Sequence, residues 1–317
     1  MPHKLGKYLV SSKFTNNIQE AIENYLVFEG LESRLSGGFG FDKNLSVVEN
    51  IQHLLTSANV CELEAQYIFF AEEEHTRGSQ TLLHLFAKGD RRLQSTIKKA
   101  NIKNARHIVQ TLIEQKIIYI EPTRERLPTK DKNQKRKKNL RQYSAEDKIK
   151  FVNNFDRFWF FFVKPYANDI KQERTQEFYT HLHKYLSQFL SFGFEHWIND
   201  LIIHRVILKD ILKGILQSAG YWNKYTEFDI LACTQKGEIV LGECKWTSRP
   251  VCQHDLNKLL YKSHKTGIPT KYFVFFSKSG FSKGLLKHKS EYFIFLGLEE
   301  LHEVLAGYLS MPTAHDL

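Results

Sequence analysis

The chain has 317 residues, 42% of them hydrophobic and 25% charged, and a net charge of +10. That length exceeds what one small core organises, so two or three domains are expected, and the apolar and aromatic content describes a globular protein. No apolar run approaches the ~18 residues that a bilayer span needs; the nearest is Phe158 to Val163. The opening residues, MPHKLGKYLV, lack the apolar core of a signal peptide, and a soluble, cytoplasmic protein is expected.

Residues 1–78 read as a helical segment. NIQEAIENYLVFEGL and SVVENIQHLLTSA repeat apolar residues at three- and four-residue spacing, the period of one helix face. SGGFG, Ser36 to Gly40, interrupts them, but the chain contains no GxxxxGK[ST] run, so a phosphate loop and nucleotide hydrolysis are set aside.

Residues 79–145 split into three short helices and a strand. QTLLHLFAKG closes at Gly89, RRLQSTIKKA follows, and NIKN turns into ARHIVQTLIEQK, with Asn104 placed to cap it. IIYIEP is strand-like and ends at Pro122. This order is that of a winged helix-turn-helix. Its third helix would enter a major groove, presenting Lys103, Asn104, Arg106 and His107, with Lys98 and Lys99 beside them, while Ile108, Leu112 and Ile113 face the core.

Charge points the same way. Between Phe86 and Lys150 there are 19 Lys and Arg against 7 Asp and Glu, so this block carries the whole positive excess. A localised excess implies an anionic partner, most simply DNA, duplex rather than single-stranded. The densest part, Lys135, Arg136, Lys137 and Lys138, lies in a basic run almost without apolar residues, Arg124 to Tyr143, and is expected to act as a basic wing along the phosphate backbone.

FVNNFDRFWFFFVKPYAND opens a linker expected over residues 146–190, with Phe155, Phe158, Trp159, Phe161 and Phe162 forming a buried aromatic plug between domains. Two long helices are expected next, QEFYTHLHKYLSQFLS and GFEHWINDLIIHRVILKDILKG, separated at Gly193. After Gly220 the texture becomes strand-like. YWNKY, EFDILACT and EIVLGECKW form a meander, followed by a helix closed by Gly267, the strand KYFVFFSK, a short helix, the strand EYFIFLG and a last helix. The whole is a multidomain α+β protein whose last part, residues 191–317, is an α/β domain with a mixed central sheet. Cys61, Cys233, Cys244 and Cys252 form no CxxC pair and read as free thiols rather than zinc ligands.

Three acids are set into two of these strands. By alternation Glu227 and Asp229 share a face, and Glu243 shares one with Lys245. If the strands pair through TQKGE, both polar sets meet on one side. Convergent carboxylates repel unless a cation stands between them, and hard oxygen ligands select Mg²⁺ or Mn²⁺. An ammonium beside them can hold a water or a developing charge, an arrangement suited to phosphodiester hydrolysis.

Asp229 followed by Glu243-Cys244-Lys245 on the next strand is similar to the PD-(D/E)XK nuclease motif. The resemblance extends further. LRQYSAEDKIKFVNNFDRFWFFFVKPY, FEHWINDLI, TEFDILA and GECKW resemble successive segments of the C-terminal part of the archaeal ATPase family, where a winged helix precedes domain of unknown function 234. This implies a restriction-endonuclease-like fold for residues 191–317, a metal site of Asp229 and Glu243 helped by Glu195, and Lys245 as the catalytic amine. Members of that family begin with a P-loop ATPase, which has no counterpart in this sequence, so a motor role is not implied. The expectation is a metal-dependent DNA endonuclease. Its rivals are a non-cleaving DNA-binding protein using the nuclease-like domain as a scaffold, and an interaction partner of a separate ATPase. A homodimer is an open arrangement in each case.

Overall fold

A computed structural model of the chain describes residues 18–35, 39, 42–89, 91–125, 145–208 and 214–309. Lys135, Arg136, Lys137 and Lys138 lie outside the described residues. The chain divides into two compact units, one made of residues 1–26, 185–221 and 226–317, the other of residues 27–184 and 222–225. No described helix is long and apolar enough to cross a membrane.

The second unit begins with helices α2 (Val47–Leu54) and α3 (Ser57–Gln66). Helix α1 (Ile18–Phe28) precedes them and belongs mostly to the first unit. A capping box starts α2, where Ser46 and Glu49 bond each other's backbone N–H. Then come α4 (Glu73–Ala87), α5 (Leu93–Ala100), α6 (Ala105–Glu114) and a two-stranded antiparallel hairpin, β1 (Ile118–Glu121) with β2 (Lys148–Phe151). Helix α4 starts seven residues before the expected Gln80, because Gly78 and Ser79 are buried inside it and not at its edge. Ile108 and Leu112 are fully buried as expected, while Ile113 is only half-buried.

The aromatic stretch forms α7 (Asn154–Phe158), a π-helical turn over Trp159–Val163 and a short helix α8 (Ala167–Lys171). Phe155, Phe158, Trp159 and Phe162 are wholly buried and Phe161 nearly so. Among them sits the carboxylate of Asp156, also fully buried. Arg34 donates to it twice, at 2.9 and 2.7 Å, and the Tyr67 hydroxyl once, at 2.7 Å. Buried charge is tolerated when it is paired and hydrogen-bonded in this way.

The first unit is built on α9 (Gln176–Ile203) and a five-stranded sheet in the order β3 (Ile215–Trp222), β4 (Glu227–Thr234), β5 (Ile239–Lys245), β6 (Thr270–Ser277), β7 (Phe293–Leu296). Strands β4 and β5 are antiparallel, whereas β5, β6 and β7 run parallel. The parallel steps are crossed by α10 (Gln253–Thr266) and α11 (Lys283–Leu286), and α12 (Leu298–Leu309) ends the described chain. The sheet is therefore mixed, as expected, and one of its faces packs Leu231, Leu241, Phe275 and Phe295 against Leu256, Leu259 and Leu285.

Three expectations are corrected here. Helix α9 runs unbroken through Gly193: a Cβ there would meet Leu26 at 3.3 Å, so the glycine serves close packing and not a break. The helix stops at Ile203 instead of continuing to Gly214, and Arg205 and Leu208 take positive φ directly after it, a conformation that does not propagate a right-handed helix. Strand β3 ends at Trp222, where YWNKY had been expected to begin a strand at Tyr221.

Candidate functional site: a carboxylate and amine cluster on β4 and β5

Strand β4 meets β5 with Ile230 opposite Gly242, so the next residues outward are Asp229 and Glu243. Phe228 and Leu231 of β4 both join the core cluster of this unit. Asp229 reaches across to β5, where its Oδ2 accepts the Cys244 backbone N–H at 2.8 Å. Among the described residues no donor bonds Asp229 Oδ1. Burial, and then the neighbouring charge of Glu243, push the Asp229 pKa up to about 7, against the opposing pull of Lys245 and Lys262.

Glu243 is buried at 7% exposure and is held from two sides. Lys245 Nζ donates to its Oε2 at 2.6 Å, and Lys262 Nζ to its Oε1 at 2.6 Å. Burial opposes the charge on Lys245, but Glu243 and Asp229 outweigh it and hold the ammonium above the usual lysine range. Burial, then Asp229 and Glu195, also push the Cys244 thiol well above its usual range, so it stays a neutral spacer between the polar residues.

Helix α9 is tied to this edge by Asn199, whose side-chain N–H groups donate to the Glu195 and Asp229 carbonyls, both at 2.9 Å. Ser218 on β3 donates to Asn199 Oδ1 at 2.6 Å. Glu195 therefore stands one turn before the residue that anchors the helix to Asp229, and its charge is felt at Cys244. Among the described residues, however, no three or more His, Cys, Asp or Glu side chains are gathered closely enough to hold a metal ion. The structure brings Asp229, Glu243 and Lys245 together and leaves Glu195 at their margin.

Asp229 and Glu243 fit a hard divalent cation by donor chemistry. One offers an oxygen without a hydrogen bond, both are carboxylates, and Mg²⁺ commonly binds through one or two carboxylates and keeps several waters.

Two residues escaped the reading of the sequence. Lys262 lies on α10 three residues after the buried Leu259 and one before the buried Ser263, so its place beside the buried stripe was legible in the helical spacing; that it reaches Glu243 was not. Asn199 offered no local signal of its link to the sheet, since those partners, Ser218 and Asp229, come from β3 and β4.

The basic residues expected at a DNA surface lie in the other unit. Lys98 and Lys99 occupy the last turn of α5, and Lys103 and Asn104 lead into α6, which carries Arg106 and His107. All six side chains are exposed. Asn104 stands at the start of α6, but its side chain makes no capping bond; it takes a left-handed φ of 59° and points its amide to His75 Nε2 at 3.4 Å.

Residues 159–259 match the model of the family DUF234, described as archaea bacterial proteins of unknown function. The matched stretch contains Glu195, Asp229, Glu243 and Lys245 and ends three residues before Lys262. No curated protein and no solved structure matches the chain.

Proposed function

We propose that the chain, which carries a DUF234 domain over residues 159–259, is a metal-dependent DNA phosphodiesterase of the PD-(D/E)XK type, with a winged helix and its basic residues holding the duplex. The observation that carries this reading is the meeting of Asp229, Glu243 and Lys245 at one end of two paired strands. Asp229 and Glu243 would hold Mg²⁺ or Mn²⁺, with Glu195 and the Cys244 carbonyl as further donors. Such an ion supplies Lewis-acid stabilisation of a phosphate under attack. The Cys244 N–H on its carboxylate and Asn199 on its carbonyl hold Asp229 in position, which supports that role. Lys245, bonded to Glu243, would orient the attacking water and offset charge that develops on the phosphate. The α4–α5–α6 helices followed by the β1–β2 hairpin have the order of a winged helix, and the exposed charges on α5 and α6 would contact phosphates.

The test is nicking of supercoiled plasmid in Mg²⁺ and in Mn²⁺. Asp229→Ala and Lys245→Ala are each expected to lower the rate about 100-fold or more. Equal rates for all three proteins would remove the assignment. One observation favours a second reading: both oxygens of Glu243 are already engaged by ammonium groups, which suits a DNA-binding scaffold that does not cleave. That protein would bind duplex DNA with unchanged affinity after Asp229→Ala and would show no metal-dependent nicking.

A further inference from the structure

Glu243 is neutralised twice, and the two amines reach it in different ways. Lys245 comes from the same strand, two residues on, with 28% of its side chain exposed. Lys262 comes from α10 with 33% exposed. Lys262 has a second berth: its Nζ also donates to the Glu227 carbonyl at 2.9 Å, and it stands 5.8 Å from the centre of the Phe228 ring. The carbonyl and the ring face can both continue to hold an ammonium that has left Glu243. As it stands, the cluster sets two carboxylates against two ammonium groups. A divalent cation added to that set would face two like charges at contact distance of its own ligand.

We propose that Lys262 is the resident counter-ion of this site, standing on Glu243 in the metal-free protein and moving to the Glu227 carbonyl when a divalent cation binds. The proposal rests on the reading of Asp229 and Glu243 as cation ligands. It makes Lys262 a positioning residue with two consequences. The carboxylates stay compensated without metal, and cation affinity is set lower than the two acids alone would give.

The measurement is direct Mn²⁺ binding to the full chain at fixed pH and ionic strength, by calorimetry and by water-proton relaxation, with thermal melting to establish that each variant is folded. Lys262→Met, which keeps the stem and removes the charge, is expected to bind Mn²⁺ about tenfold more tightly, the scale of one partly screened charge pair. Lys262→Gln is the substitute if the methionine variant does not fold. Lys262→Arg, which keeps the charge, should stay near the native affinity, and Asp229→Ala should abolish binding in either background. A merely structural lysine would give weaker binding when removed, never tighter. Native binding with equal or weaker affinity in the uncharged variants overturns the proposal and leaves the carboxylate site standing. Absence of Mn²⁺ binding in native and uncharged variants alike removes the carboxylate reading and the proposal together. Binding only after the charge is removed would support both.

Discussion

Asp229 shows how a buried carboxylate, proposed above as a cation ligand, weighs on the fold that holds it. Its pKa rises from 3.8 to about 7 because burial and Glu243 disfavour its charge. For an acid with a raised folded-state value, the favourable contribution is complete below the unfolded value and is lost as pH climbs through the folded one. Asp229→Asn keeps an acceptor for the Cys244 N–H and never ionises. Its melting temperature should match the native protein's below pH ~4, draw ahead as pH rises and reach its full advantage near pH ~7, on the order of 2 kcal/mol in stability. Equal melting curves across the range from pH 4 to pH 8 would show that Asp229 carries no such cost. Asp156 is the opposite case, a buried acid that is fully paired. Arg34→Met should destabilise the second unit by about 3–5 kcal/mol in urea unfolding, since it strands that charge. The motif residues Asp229, Glu243 and Lys245 were legible because alternation along a strand decides which residues share a face. Lys262 and Asn199 were not, because their roles depend on a helix packing against a strand that lies far away in the chain.

At the level of elements, the glycines separate packing from convenience. A Cβ at Gly242 would lie 2.5 Å from Val274 Cγ1 and 2.8 Å from the Val274 carbonyl oxygen, so β5 and β6 could not keep their spacing. Gly242→Ala is expected to cost about 3 kcal/mol or more, as overpacking against a backbone atom does at its upper end. Gly284→Ala, in α11 with open space around it, should be neutral or stabilising by up to ~1 kcal/mol. Chemical denaturation of the two variants side by side checks both signs. Strand periodicity placed β4 and β5 within a residue or two, because both are buried on two sides and bounded by turns. Helix ends were less legible. The apolar pattern of α9 continues past Ile203, and only the positive φ values of Arg205 and Leu208 stop it. Gly193 reads as a break in one dimension and serves as a close approach to Leu26 in three.

For the molecule as a whole, the unequal distribution of charge is the feature most open to test. The six residues Lys98, Lys99, Lys103, Asn104, Arg106 and His107 are exposed around α5 and α6, although Lys98 and Lys99 also complement the C-terminal end of α5. If they meet phosphates, replacing Lys98, Lys99, Lys103 and Arg106 by Gln should flatten the dependence of log affinity on log salt by about 0.9 for each phosphate left unneutralised, whatever the duplex sequence. Fluorescence anisotropy across a KCl series measures this; an unchanged slope would remove α5 and α6 from the DNA surface. What the chain's own order of residues determined was local: the pleat that groups the acids of β4 and β5, the helical stripes, and the basic block, all set by side-chain periodicity and charge over a few residues. What only the tertiary structure decided was which distant groups share the carboxylates. Lys262 reaches Glu243 from α10, Asn199 grips Asp229 from α9, and Glu195 is left at the margin. Such pairings follow from how helices dock on a sheet, and no spacing within a single segment encodes that docking.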